Sequence, residues 1–295
     1  MQNLYCLFLN NQLNFMSIQN IPEKFLKSKK HNPALFVYDF KMTQNVVKSK
    51  VNLTVHMFSF LQNGEKKVQL EDASVEVNNK QSVLIKAGNC LMTELLNNDE
   101  IYYCKLFFFT NENIASFFEK HPQLNTIKNL YSENPFFVIE NDEFINSFVT
   151  SISSILQLTT DYSALLYIKF EEIMLYLTHK YGAVFTSYIQ SICASEKNST
   201  FKNIVEATVH SNLSLQEISF LANMSLSTFK RNFTKAYGTN PGKWLQQKRL
   251  HHAKKILETG FKKPTEIFAN YGYNNFSNFS TAFKNEFGFS PKNVK

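Results

Sequence analysis

A chain of 295 residues with 44% hydrophobic and 19% charged side chains is neither a disordered nor a fibrous sequence, and it is long enough to bury two separate cores. No apolar run approaches the eighteen or so residues that span a bilayer. Residues 1–9 lack the basic start and small-residue cleavage site of a secretion signal, so a cytoplasmic protein is expected. The net charge of +7 is unevenly placed: residues 196–295 hold fifteen Lys and Arg against six Asp and Glu, a net of +9, whereas residues 1–195 carry a net of −2. A polyanionic partner is therefore expected for the last third alone.

Arg231 and Arg249, the chain's two arginines, both lie in that third. Lysine serves almost everywhere else, so these guanidinium groups are candidates for bidentate recognition, which an ammonium cannot perform. Cys6, Cys90, Cys104 and Cys193 match no metal-ligand spacing. They read as buried free thiols, with a 90–104 disulfide left open. Neither a metal nor a cofactor is expected.

In chain order, strands are predicted at 34–40, 51–61, 67–77, 82–85 and 101–109, all rich in Val, Ile, Phe and Tyr. Asn63-Gly64 reads as a hairpin turn, because both residues tolerate positive φ. Short strands separated by turn residues suggest an antiparallel barrel or sandwich. The period then changes to that of helices. A short one is predicted at 111–120, stopped near Pro122, then longer ones at about 141–158 and 161–181. In the last, Leu166, Phe170, Ile173 and Leu177 form one stripe, and Leu165, Ile168, Glu172, Leu175 and His179 form another. That is more apolar surface than packing on one sheet requires. The helix is either buried between domains or paired with its copy in a dimer. Residues 194–200 are polar, and the domain boundary is placed there, giving domains 1–193 and 194–295.

The last third contains an internal repeat. Phe229, Phe233, Tyr237, Gly238 and Pro241 recur fifty residues later as Phe279, Phe283, Phe287, Gly288 and Pro291, and Glu217-Ile218 recurs as Glu266-Ile267. In each copy a short helix, about 215–222 or 264–271, ends at a residue that tolerates a left-handed backbone, Asn223 or Gly272. A second helix starts near Ser225 or Asn275, whose side chains can cap it. Its aromatics at i, i+4 and i+8 pack inward. Helix, tight turn and helix with one polar face is the plan of a helix-turn-helix unit. The predicted helix 241–258 joins the copies and spans about 27 Å at 1.5 Å per residue, which can place two reading helices one turn of B-DNA apart, roughly 34 Å. An ordinary all-α bundle is the competing reading, but it explains neither the repeat nor the charge imbalance.

The segment 214–295 resembles the DNA-binding domain of the AraC/XylS family. The resemblance rests on residues 215–233, on Arg249-Leu250, Ala253 and Ile256-Leu257 in the connector, and on 271–279, Ala282-Phe283-Lys284 and 287–291. It implies that the exposed faces of the second helices read bases with Ser227, Lys230 and Arg231 in the first unit and Phe276, Ser277, Asn278 and Thr281 in the second. Arg231 can take guanine O6 and N7 together, and Asn278 can pair with adenine. Lys235, Lys243 and Lys284 would grip phosphates. In the family the counterpart of Arg249 more often stabilises the connector than touches bases.

The chain also departs from the family pattern. Phe268 stands where a small residue is usual, as Ser219 is in the first unit, and Thr281 stands where arginine is common. The first unit is therefore expected to discriminate sequence and the second to hold backbone. The amino-terminal portion resembles the cupin-like sensor and dimerisation half of such regulators, including members that answer to protein partners in secretion control. The expected fold is thus α+β: a cupin-like antiparallel barrel with flanking helices, then an all-α domain of two helix-turn-helix units. The resemblance implies a dimeric transcription regulator of promoter DNA, working with RNA polymerase under a small-molecule or protein effector, and not an enzyme. A DNA binder of low sequence specificity and a cupin-type enzyme are the rivals. The enzyme would need several His and a carboxylate converging on the barrel, and its core strands offer His56 alone.

Overall fold

The computed structural model describes residues 17–26, 34–124, 134–194 and 201–294. The chain divides into two compact units, Met1–Asn198 and Ser199–Lys295. Residues 1–9 and Cys6 lie outside the described residues, as does most of the predicted boundary segment 194–200.

The amino-terminal unit carries two five-stranded sheets. Their strands are β1 (Gln19–Ile21), β2 (Leu35–Met42), β3 (Val46–Leu53), β4 (His56–Asn63), β5 (Glu65–Gln69), β6 (Ser74–Asn78), β7 (Gln81–Ile85), β8 (Gly88–Leu95), β9 (Tyr102–Phe109) and β10 (Phe136–Glu140). One sheet runs β1-β3-β8-β5-β6 and the other β10-β7-β4-β9-β2. The antiparallel pairs are nested: β5 with β6, β4 with β7, β3 with β8 and β2 with β9, alternating between the sheets. That alternation is the double-sheet jelly roll of cupins. Among the described residues, only the short β1 pairs in parallel, with β3.

Two predictions fail here for one reason. The run 51–61 is not a single strand, because β3 ends at Leu53 in one sheet and β4 starts at His56 in the other. Asn63-Gly64 is likewise not a hairpin: it carries the chain from β4 across to β5, and these strands belong to different sheets. Gly64 has φ of +93°, and a Cβ there would lie 2.5 Å from the Leu95 carbonyl oxygen and 2.8 Å from the Tyr102 ring. Close backbone approach, not a two-residue turn, is why glycine stands there. The predicted strand 67–77 is also two strands, β5 and β6, joined as the true hairpin.

Strands β4 and β9 are buried on both faces, which is why they read as nearly continuous apolar runs. Met57, Leu61, Leu106 and Phe108 point between the sheets. Phe58, Phe60, Phe107 and Phe109 point to the other side, into a core shared with helices α1 (Asn111–Lys120), α2 (Glu143–Leu156), α3 (Ser163–Tyr181) and α4 (Ala183–Ala194). Asp142 caps α2, accepting from the Ile145 N–H at 3.0 Å. The four-residue helical spacing in α3 buries Leu166, Phe170, Ile173 and Leu177 and leaves Leu165 and Ile168 exposed, the latter by 61%. The sequence reading did not anticipate β8, β10 or α4.

The interior also holds charge. Lys66, 1% exposed, donates to Glu94 Oε1 at 2.9 Å and to Tyr102 Oη at 3.2 Å. The two charges are cross-strand neighbours on β5 and β8, so each satisfies the other where water is excluded. Cys90 and Cys104 are buried free thiols nearby, whereas Cys193 is exposed, correcting the expectation for that residue. No helix among the described residues is long and apolar enough to cross a membrane.

The carboxy-terminal unit is all helix: α5 (Phe201–Thr208), α6 (Leu215–Leu221), α7 (Leu226–Tyr237), α8 (Pro241–Glu258), α9 (Pro264–Ile267) continued by a 3₁₀ turn (Phe268–Tyr271), and α10 (Phe276–Phe287). Helix α5 was not foreseen. Its Ile204, Val205 and Thr208 are buried, and Phe201 packs 5.3 Å from Phe229.

Candidate nucleic-acid interface

Each reading helix is set by capping and turn residues. Ser214 and Glu217 form a reciprocal box at the start of α6, with Glu217 Oε2 accepting the Ser214 N–H at 2.7 Å and Ser214 Oγ accepting the Glu217 N–H at 3.2 Å. Glu266 repeats half of that box by accepting the Lys263 N–H at 2.7 Å. The left-handed turn residues are Asn223, φ +51°, and Gly272, φ +82°. Ser225 Oγ then accepts the Thr228 N–H to cap α7, and Asn275 Oδ1 accepts the Asn278 N–H to cap α10. Both reading helices end at left-handed glycines, Gly238 and Gly288.

Burial fixes which face is free. Phe229, Phe233, Phe279 and Phe283 are fully buried. Ser227, Lys230, Arg231 and Lys235 are exposed on α7, and Ser277, Asn278, Thr281 and Lys284 are exposed on α10. The two faces differ in charge. Superposing Phe229 on Phe279 matches Lys230 with Ser280, Arg231 with Thr281 and Lys235 with Asn285, while Thr234 meets Lys284. The first face thus offers three cationic side chains at the positions where the second offers none, and the second offers Lys284 alone. Phe276, expected to read bases, sits at the edge of the aromatic core. It is half-buried, its ring 6.2 Å from Phe268 and 6.3 Å from Phe279.

Phe268 has the structural consequence that its bulk predicts. Its first-unit counterpart Ser219 is 3% exposed inside an unbroken helix. At Phe268 the α-helix stops and tightens to 3₁₀, and the ring is left half-buried at the core's edge. Helix α8 starts with Pro241 after the cap Asn240, whose Oδ1 accepts from Gly242 at 2.8 Å, and it runs eighteen residues. Arg249 sits inside this connector with its guanidinium turned to protein: Nη2 donates to the Leu213 carbonyl at 2.7 Å and Nε to the Val209 carbonyl at 3.2 Å. Its hydrogen bonds are structural, which leaves Arg231 as the exposed guanidinium, on the outer face of α7.

His56, the isolated histidine of the barrel strands, is likewise built in. Its Nδ1 accepts the Ala87 N–H at 3.1 Å, so Nε2 donates to Asn111 Oδ1 at 2.8 Å, and burial holds its pKa below the ordinary value. Among the described residues no group of three or more His, Cys, Asp or Glu is placed to hold a metal ion.

The chain matches the profile of the ExsA N-terminal regulatory domain over residues 56–188 and of a helix-turn-helix domain over residues 218–295. The carboxy-terminal unit carries a helix-turn-helix domain of the AraC type. Similar proteins include the virulence regulon transcriptional activator VirF of Yersinia enterocolitica, 22% identical over 162 residues, which are 55% of this chain and 59% of the relative. The transcriptional activator NphR of Rhodococcus is 33% identical over 91 residues, 30% of this chain and 27% of the relative. A solved structure of ToxT from Vibrio cholerae is 16% identical and covers 88% of this chain and 97% of its own, with a TM-score of 0.41. The chain spans about three-fifths of the length of the curated relatives that it matches first. The helix-turn-helix match covers the second half of α6, helices α7 and α10 and the connector between them.

Proposed function

We propose that this protein is a sequence-specific, DNA-binding activator of transcription, acting on promoter DNA in the cytoplasm, with its jelly-roll unit as the regulatory half. The observation that carries the reading is the capped helix α7 with Lys230, Arg231 and Lys235 on its exposed side. The first unit discriminates bases, Arg231 by a bidentate contact with guanine and Lys230 beside it. The second unit, with Ser277, Asn278, Thr281 and Lys284, chiefly holds the duplex backbone. RNA polymerase is the partner that activation requires, and a small molecule or a protein acts on the amino-terminal unit. The chain acts through binding and not as an enzyme.

Selecting bound fragments from random duplexes with the full chain tests this. An enriched motif lost in Arg231→Ala supports it. An unenriched pool, with a steep salt dependence unchanged by that substitution, would leave a binder of low specificity instead.

The exposed apolar stripe of α3 supports a homodimer. Leu165, Ile168 and Leu175 are 39%, 61% and 38% exposed on the side opposite its buried stripe. Sedimentation of the full chain is expected to give a dimer at tens of micromolar and a monomer for Ile168→Glu. A wild-type monomer would remove this part of the reading.

A further inference from the structure

The connector helix α8 presents a second functional stripe that DNA recognition does not use. Trp244, Lys248, His251 and Lys255 recur at four- and three-residue spacings on the side of α8 away from its buried residues Leu245, Leu250, Ala253 and Leu257. They floor a groove of about 820 Å³, walled by His210 just beyond α5 and by Glu286 of α10. Glu286 comes nine residues after Ser277, about two and a half helical turns, so it lies on the back of α10 relative to the reading face. The groove is therefore on the DNA-distal side of the second unit, a statement that rests on the assignment of reading faces above.

Its chemistry is cationic and aromatic. The rings of His210 and His252 stack at 4.2 Å, and His252 Nδ1 is held by the Tyr271 hydroxyl at 3.0 Å. Lys248 Nζ lies 5.4 Å from the Trp244 ring centre. Glu286 is 3.4 Å from His251, while neither Lys248 nor Lys255 has a carboxylate partner among the described residues. Positive potential converges on the site: burial first, then His252, Lys248, Arg249 and Lys255, hold the pKa of His210 below its ordinary value. From Trp244 to Lys255 the stripe spans twelve residues, about 16 Å along the helix, which suits about five residues of extended peptide. An aromatic anchor beside unpaired cations is the composition of a binding hot spot, and its volume is that of a ligand cleft.

We propose that this groove docks an acidic, extended segment of a partner protein while the opposite face holds DNA. Charge complementarity selects the occupant: Lys248 and Lys255 have no carboxylate partner among the described residues, Glu286 is turned to His251, and every charge acting on His210 is cationic. The groove thereby lets a DNA-bound protein recruit a second macromolecule without releasing the first.

The chain has one tryptophan, and it lines the groove, so its fluorescence reports occupancy directly. The full chain, saturated with a dye-labelled duplex from the selection described above, is titrated with poly-L-glutamate. A saturable change in Trp244 fluorescence at constant duplex anisotropy is expected. In a Lys248→Glu/Lys255→Glu double variant, with an unchanged melting temperature, the poly-L-glutamate affinity should fall at least tenfold while duplex affinity stays within twofold. No fluorescence response, displacement of duplex by the polyanion, or an unchanged affinity in the double variant would each overturn the proposal. So would loss of duplex binding by that variant at unchanged melting temperature, which would make the stripe a DNA contact. If the wild-type chain bound no duplex, the DNA-binding reading would fail separately, and the fluorescence titration without DNA would still decide occupancy of the groove.

Discussion

Arg249 Nη2 donates to the Leu213 carbonyl at 2.7 Å, and through this bond the connector helix holds the residue just before the α6 cap Ser214. With the 3.2 Å bond to Val209, one planar guanidinium closes the loop between α5 and α6 onto α8. A lysine cannot reproduce the fork. Arg249→Lys is expected to cost about 1–2 kcal/mol of stability, seen as a fall of several degrees in the melting transition of the carboxy-terminal unit. In Arg249→Gln, which removes the charge, the slope of log affinity against log salt should not change, because no phosphate contact is lost. A slope reduced by about one would instead mark Arg249 as a phosphate ligand.

The unequal faces of α7 and α10 make an opposite pair of substitutions informative. Arg231→Ala should cost about 1–3 kcal/mol of discrimination at one base pair, whereas Thr281→Ala should change affinity little. Thr281→Arg restores the cation that the first unit has at the matching position. It should tighten duplex binding and steepen the salt slope by about one. Competition titrations at several salt concentrations measure both. Equal losses from Arg231→Ala and Thr281→Ala would refute the asymmetry.

At Gly64 both conformation and space require glycine. An alanine there must adopt φ near +93° with its Cβ 2.5 Å from a carbonyl oxygen. Gly64→Ala should destabilise the jelly roll by about 2 kcal/mol or more, measured as a lower urea midpoint at an unchanged m-value. A midpoint within error of wild type would mean that the β4–β5 crossing relaxes at no cost.

His56 gives the amino-terminal unit an acid-sensitive element. Its pKa is lowered in the folded state, chiefly by burial, with Lys86 adding to the effect and the Asn111 hydrogen bond opposing it. The unfolded chain therefore takes up the proton first. The stabilising contribution is complete above the unfolded value of about 6.5 and is lost as pH falls from there through the folded value. Urea unfolding at pH 7.5 and 5.5 should show reduced stability at the lower pH, and His56→Gln should flatten that dependence. An unchanged slope in the variant would assign the acid sensitivity elsewhere.

The two helix-turn-helix units were legible because their determinants are local. A cap such as Ser225, a left-handed Asn223 and aromatics four apart all act within one or two turns of helix, so the chain order alone places them. The same local evidence failed in the jelly roll. Asn63-Gly64 has the composition of a hairpin turn, but its environment is set by Leu95 and Tyr102, more than thirty residues away. Phe276 reads by position as a base contact, and only the fold shows that its ring also packs against Phe268.

The sequence by itself determined the repeat, the helix ends, the concentration of positive charge in the final third and the exposed cationic face of α7. Tertiary structure alone decided that Lys66 and Glu94 meet inside the barrel and that Arg249 is turned inward to two carbonyls. It also decided that Trp244, Lys248 and Lys255 share a groove with His210. The division follows sequence distance. Capping and helical periodicity are short-range, whereas strand pairing, burial of charge and groove formation depend on which distant segments the fold brings together.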